Sequence, residues 1–410
     1  MRRYAVLTLS VSGGFLMFVG VWLNSAALFY MSTVMIVTLV ALKAQAILAT
    51  KGLRFERIIP SLITAGERVD IRIRVWSTIR MRRPLLVIVD EIPHKLTHES
   101  ELLPLPIAPI YSEPIETRYQ IRPTRRGVFR WSSLRVISTD SLGILSTEQK
   151  YETTPAEIIV HPAKIPFTID LAALSGWSAA YTDDGKSRGP GMEARGVREY
   201  SSGDPLRHVH WRSTARKGQL MVKEFDAGFT TNVALFLQLT KDTEIGEGGA
   251  TTLEAMCSHA AFLADEMLNR GSPVLLPALE GMEEFTHSSE IRYRKICDAL
   301  AKAEADRPYS FASEIERCMR FLPPQCTVVL MLAVVEPGMD EAIRSLTANY
   351  PVVVYVYDAN SFARASQKSS IRSATEPHFL ASIAAPRVAI RFMPNPFEVY
   401  DKSEKYEKSA

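Results

Sequence analysis

The sequence predicts a membrane-anchored multidomain chain: an N-terminal transmembrane helical hairpin, a small antiparallel β-sandwich, then a doubly wound α/β domain. Three observations predict it. Residues 4–23 and 26–42 contain no charged side chain. Between about Leu53 and His161, short β-prone runs alternate with turn residues. Beyond residue 231, continuous apolar runs alternate with segments of helical period.

The two uncharged stretches each approach the roughly 20 residues that cross a bilayer core. Only Asn24 and Ser25 separate them, so they form a tight hairpin, with Trp22 and Tyr30 towards the outer interface. Arg2 and Arg3 precede the first stretch; Lys43, Lys51, Arg54 and Arg57 follow the second. The excess of basic residues on both flanks places the N-terminus and the main body in the cytoplasm. Lys51, Arg54 and Arg57 also suit an anionic lipid surface. A cleaved leader ending near Ser25-Ala26-Ala27 is the rival reading, and the second apolar stretch argues against it.

In the β-rich segment (51–165), candidate strands are 68–76, 85–90, 116–122, 127–131, 134–139 and 157–161. The first alternates cleanly, with Val69, Ile71, Ile73 and Val75 on one face and Asp70, Arg72 and Arg74 on the other. The proline-rich stretch 104–114 reads as a long loop or edge connection. No catalytic constellation occurs there.

In the α/β domain (231–395), Val233–Leu239 is a strand of the type buried on both faces. Helices are expected at 251–269, 289–305, 311–320 and 339–347, with further strands at 273–276, 327–335, 351–357 and 387–392. Residues 396–410 read as a frayed tail. Ligands in such a domain sit beyond the carboxyl ends of the strands. No glycine-rich phosphate loop follows the first strand, which disfavours nucleotide binding.

The chain has 410 residues and a formal net charge of +3, too near balance for wholesale nucleic-acid binding. Its four cysteines, Cys257, Cys297, Cys318 and Cys326, form no C-x-x-C pair and read as small buried hydrophobes. The positive charge is uneven: it gathers at the N-terminus, at 51–57, 80–83 and 122–130, and in 196–226 of the linker segment 166–230, where Arg198, Arg207, Arg212, Arg216, Lys217 and Lys223 surround Tyr200, Gly203, Asp204 and Trp211. Ser201–Pro205 is a turn cluster that rules out one continuous helix. Asp204 with Arg198, Arg207 and Arg216 is expected to form an internal ion-pair lattice with Trp211 as its buried anchor; the alternative is an exposed docking surface. His208 and His210 lie among too many cations for a metal site and are expected to be hydrogen-bonded structural residues. Ser201, Ser202, Asp204, His208 and His210 include the residue types of a Ser–His–Asp triad but lack the nucleophile elbow a hydrolase would need.

Together these pieces resemble the family catalogued as domain of unknown function 58. Residues 119–145 are similar to one family segment through Arg126, Gly127, Asp140 and Gly143. Residues 195–225 are similar to its signature through Arg198, Tyr200, Gly203, Asp204, Arg207, Trp211, Ala215 and Arg216. His210 stands where the family often has an aspartate. The resemblance implies a von Willebrand factor A-like domain starting at the 233–239 strand, a MoxR-type AAA+ ATPase as partner in assembly or maturation of other proteins, and no enzymatic activity or cofactor. A-like domains that bind a divalent metal place D-x-S-x-S after the first strand. The corresponding positions here are Gln238, Thr240 and Asp242, and glutamine lacks the charge that a hard cation prefers. The metal site is therefore expected to be degenerate. A metal-dependent, adhesion-type ligand-binding module is the alternative.

Overall fold

The computed structural model describes residues 2–60, 62–94, 96, 105–140, 143, 145–174, 194–200, 209–225, 232–280, 288–363 and 371–397. The chain divides into two compact units, Met1–His161 and Pro162–Ala410.

The first unit opens with α1 (Arg2–Trp22) and α2 (Ala26–Ala49), joined through Asn24 in the left-handed region. Among the described residues one helix, Ala26–Ala49, is long and apolar enough to cross a membrane; the apolar part of α1, Val6–Trp22, is shorter. Only 11% of the α2 apolar window is buried, unlike the core helix of a soluble protein. Ser32, Thr33 and Thr38 bond back to the carbonyls of Phe29, Phe29 and Val34, which satisfies their hydroxyls without water. At Gly20 the helices approach so closely that a Cβ would lie 2.9 Å from the Phe29 nitrogen.

Two sheets follow. β1 (Leu53–Ile58), β3 (Val69–Ser77) and β6 (Ile115–Ile121) form one, in the order β1-β3-β6. β2 (Ile63–Thr64), β4 (Leu86–Asp90), β5 (Leu105–Ile107), β7 (Gly127–Thr139) and β8 (Ser146–His161) form the other, in the order β2-β8-β7-β4-β5. All pairings are antiparallel except the short β2–β8 contact. Ile71, Ile73 and Val75 from one sheet share a core with Ile88, Leu134, Val136 and Ile158 from the other. The alternation expected for β3 holds: Val69, Ile71, Ile73 and Val75 are buried. The runs 127–131 and 134–139 are one strand, its register shifting between Trp131 and Ser133. Pro106 sits on β5, at a sheet edge where its missing donor matters least.

Arg57 overturns one expectation. Its side chain is only 2% exposed and meets Asp90, 3% exposed, rather than lipid. Nε and Nη2 donate to the two Asp90 oxygens at 2.9 and 2.7 Å. Nη1 donates to Thr153 Oγ1 at 2.5 Å, Nη2 also to the Ser133 carbonyl, and Tyr119 Oη to Asp90 Oδ2 at 2.7 Å. The network joins β1 and β6 of one sheet to β4, β7 and β8 of the other. Burial, with the adjacent Asp90 charge, pushes the Tyr119 hydroxyl well up, so it remains a donor.

The second unit contains α3 (Leu171–Leu174), β9 (Ala194–Glu199), α4 (Trp211–Lys217), β10 (Met221–Phe225) and β11 (Asn232–Leu237). The hairpin of β12 (Gly246–Glu247) and β13 (Ala250–Thr251) precedes α5 (Thr252–Asn269), whose N-cap Thr251 accepts from Glu254 N. Then come β14 (Val274–Leu275), α6 (Ser289–Lys302), α7 (Phe311–Met319), β15 (Cys326–Leu332), α8 (Met339–Asn349), β16 (Val352–Tyr357), α9 (Ala359–Phe362), α10 (Pro377–Ile383) and β17 (Val388–Met393). Among the described residues, β14-β11-β15-β16-β17 is a wholly parallel sheet.

Both faces of that sheet are apolar, which is why β11, β15 and β16 read as unbroken hydrophobic runs. Val233, Leu235, Leu237, Val329, Met331 and Val353 pack in one core with α5 and α6. Ala234, Phe236, Val328, Leu330, Val352 and Val354 pack in the other with α7, α8 and α10. The chain is thus an apolar helix followed by a mixed α/β body. The four cysteines are buried and stand outside any disulfide.

Candidate functional site

Numbered within the parallel sheet, the strand order is 2-1-3-4-5, so the direction of winding reverses between β11 and β15. Open α/β sheets bind ligands in the crevice beyond the carboxyl ends of the strands at such a reversal, which here are β11 and β15. Gln238, 2% exposed, follows β11 there. Its Nε2 donates to the Val334 carbonyl (2.8 Å) and to Glu336 Oε1 (2.5 Å). Its Oε1 accepts from Ala333 N (3.0 Å) and Val334 N (3.1 Å). One neutral amide thereby joins β11 to the segment after β15. A carboxylate in its place would face the Val334 carbonyl without a donor.

The other two positions of the degenerate motif have different surroundings. Thr240 bridges to Arg307, flanked by bonds from Lys241 N to the Arg307 carbonyl and from Arg307 N to the Leu239 carbonyl. Asp242 lies exposed in a turn at φ 66°. Among the described residues, no group of three or more His, Cys, Asp or Glu is arranged to hold a metal ion.

Glu336 links Gln238 to α7, because its Oε2 accepts from Phe311 N at 3.0 Å. On α7, Glu314 is buried, its side chain 1% exposed, with Arg307 Nη1 2.6 Å from Oε1. That contact is an ion pair by distance without the angle of a hydrogen bond. Burial pushes the Glu314 carboxyl up to about 7; Arg307 and Arg317 pull it down, and Glu336 adds to the rise. Arg307 also donates to the Ala278 carbonyl and to Tyr309 Oη, which receives Arg317 as well. Across the sheet, His259 of α5 shares a 2.9 Å hydrogen bond with Tyr357 Oη, and burial pushes its imidazole down to about 4.

The sequence reading missed Glu314 and His259. A signal for Glu314 was present: it lies on the stripe of Phe311, Ile315 and Cys318, where a charge is out of place.

The basic segment is a hairpin with a helix between its strands. β9 and β10 pair antiparallel, with Arg198 opposite Val222, and Tyr200 N donates to the Leu220 carbonyl. His210 is the N-cap of α4: its Nδ1 accepts from Ser213 N at 3.2 Å and lies 2.8 Å from Ser213 Oγ. Aspartate is a favoured residue at such a position, so histidine here takes over an aspartate's task. Thr214 Oγ1 accepts from Met221 N, and Gly218 closes the helix in the left-handed conformation.

Trp211, expected to be a buried anchor, is 69% exposed. Arg212, Ala215, Arg216 and Lys217 are exposed beside it, and no residue of α4 is buried. The seven-residue helix is too short and too polar to bury its indole. Gly203, Asp204, Arg207 and His208 lie outside the described residues, so the expected ion-pair lattice does too.

Residues 196–363 match a protein-family model described as "Protein of unknown function DUF58". The match runs from β9 through α9 and so takes in the basic hairpin and the crevice together. The "Uncharacterized protein YeaD" of Bacillus subtilis (strain 168) is 24% identical over 249 residues, 57% of this chain and 60% of that one. A solved structure titled "Crystal structure of putative beta-galactosidase from bacteroides fragilis" is 11% identical and aligns with 74% of this chain and 38% of that one. Its TM-score of 0.16 carries no argument. The chain thus spans less than two thirds of each of these proteins.

Proposed function

We propose that this protein is a membrane-anchored, non-enzymatic scaffold or adaptor that docks a MoxR-type AAA+ ATPase in the assembly or maturation of other proteins. The observation that carries the reading is α4, which presents Trp211 to solvent beside Arg212, Arg216 and Lys217. Trp and Arg are the residues most often found at the energetic centres of interfaces. An exposed indole ringed by cations suits an acidic partner segment with an apolar side chain.

In this proposal α1 and α2 both span the bilayer, with the N-terminus and the main body cytoplasmic. The exposed apolar surface of both helices supports that arrangement, as do Arg2 and Arg3 at the start of α1 and Lys43, Lys51 and Arg54 in and after the end of α2. The 2-1-3-4-5 parallel sheet with helices on both faces is compatible with a von Willebrand factor A-like domain. Between the two ligand modes of such a domain, the four hydrogen bonds of Gln238 favour docking without a metal over the adhesion-type module.

The test is affinity capture of the full-length protein from native membranes in mild detergent, with and without ATP. Recovery of an AAA+ ATPase whose yield depends on nucleotide supports the adaptor; no ATPase under either condition sinks it. Trp211→Ala should weaken that capture by about 2 kcal/mol or more without changing the melting of the protein.

A further inference from the structure

We propose that the end of α2 and the β3–β4 loop form a collar that binds anionic lipid headgroups in the bilayer that α2 enters. The inference rests on the membrane-spanning reading of α2 and adds a second, lipid-selective contact to it.

The apolar surface of α2 does not stop at Lys43. Ile47 and Leu48, in its last turn, are 38% and 54% exposed. The β3–β4 loop is bonded to this end of the helix. Arg83 Nη1 donates to the Ala49 carbonyl at 2.5 Å, and its Nη2 to Ser77 Oγ at 2.8 Å. Thr78 donates to the Gly52 carbonyl through both N (2.9 Å) and Oγ1 (3.0 Å). Ile79 covers Gly52 so closely that a Cβ there would lie 2.6 Å from its Cδ1, yet Ile79 is 44% exposed. An exposed aliphatic side chain thus extends the apolar surface of the helix past its last residue.

Beside it stand Lys51, Arg54, Arg80 and Arg82, all exposed. Among the described residues none of the four has an ion-pair partner. Glu56, the next acid on the outward face of β1, pairs with Arg74, and Glu116 pairs with Arg72 and Arg74. Four unneutralised cations around an apolar step at the mouth of a span match the charge and polarity of an anionic membrane interface. An acidic protein surface would leave Leu48 and Ile79 in contact with water or lipid all the same. The continuity of these two side chains with the span therefore selects the bilayer as the occupant.

The experiment uses the full chain reconstituted in phosphatidylcholine vesicles containing spin-labelled phosphatidylglycerol or spin-labelled phosphatidylcholine. Wild type should immobilise phosphatidylglycerol in preference to phosphatidylcholine, the preference shrinking in high salt. Neutralising the four cations (Lys51→Gln, Arg54→Gln, Arg80→Gln, Arg82→Gln) should cut that preference by about threefold or more at low salt. A control that neutralises Lys302, Arg320, Arg372 and Arg387, exposed residues of the second unit, should keep it. Undiminished preference in the fourfold variant, with both proteins resisting carbonate extraction, overturns the collar and leaves the span intact. Extraction of wild type by carbonate overturns the span and the collar with it.

Discussion

Two arginine–carboxylate pairs built on buried carboxylates have opposite characters. Arg57 and Asp90, between the sheets of the β unit, are joined by two hydrogen bonds, and Tyr119, Thr153 and Ser133 complete the network. Arg307 and Glu314, beside the parallel-sheet crevice, touch at 2.6 Å without a hydrogen bond to Glu314 Oε1, and Glu336 stands near with like charge. Both carboxylates are deeply buried; what differs is how many donors reach each. The first pair is a fixed strut. The second holds a carboxyl whose proton is exchanged near neutrality, so its charge is set by the solution.

The largest effect that would break this comparison comes from Asp90→Ala. It strips a buried guanidinium of its partner and should cost the β unit about 3–5 kcal/mol in denaturant unfolding. A loss under about 1 kcal/mol would mean that water reaches Arg57 and the strut is no strut.

Next comes the pH dependence of the second pair. The folded value of Glu314, about 7, lies above its ordinary 4.5, so the folded state holds the proton more tightly. Stability from this group is therefore full below about 4.5 and falls as pH rises through 7. Glu314→Gln should leave stability nearly unchanged at pH 4 and raise it by about 2–3 kcal/mol at pH 8. His259 works in the other direction: with its imidazole near 4 in the fold, its contribution is lost as pH falls from 6.5 through 4. A flat difference between wild type and Glu314→Gln across this range would show that Arg307 keeps the carboxylate charged.

Gln238→Ala should cost about 2–3 kcal/mol by leaving the Ala333 and Val334 amides without an acceptor. Gln238→Glu sharpens the comparison by placing a charge where the neutral amide now serves, and should cost more at pH 8 than at pH 5. The smallest effect is expected from Trp211→Ala, within about 0.5 kcal/mol, because the indole contacts solvent. A loss of 2 kcal/mol would restore it as a structural anchor.

How much of this was legible in the sequence varied with chemistry. The parallel sheet was, because residues such as Val233–Leu237 and Val352–Tyr357 are buried on both faces and need no register to be recognised. The first half of β8 was not: Ser146–Thr154 alternates between half-buried and exposed and carries Glu148, Lys150 and Glu152, so it lacks an apolar face. β1 escaped because its Arg54, Glu56 and Arg57 look like the flank of a membrane span, and only Asp90, more than thirty residues away, reveals what Arg57 does. In the candidate site, Gln238 was singled out for the charge it lacks. Its actual partners, at Ala333, Val334 and Glu336, lie nearly a hundred residues on, and no local pattern names them. Trp211 misled because an aromatic among arginines reads equally as an anchor and as a lure.

The junction between α2 and the β unit has a mechanical consequence. Only Thr50, Lys51 and Gly52 separate helix from strand, and they are not slack. Thr50 is bonded to Gln149 and Tyr151, Gly52 to Thr78, and Ala49 to Arg83. There is no hinge at which the sandwich could swivel. Helix and sandwich therefore move as one lever, and a torque applied to the β unit emerges at the far end of α2 as tilt.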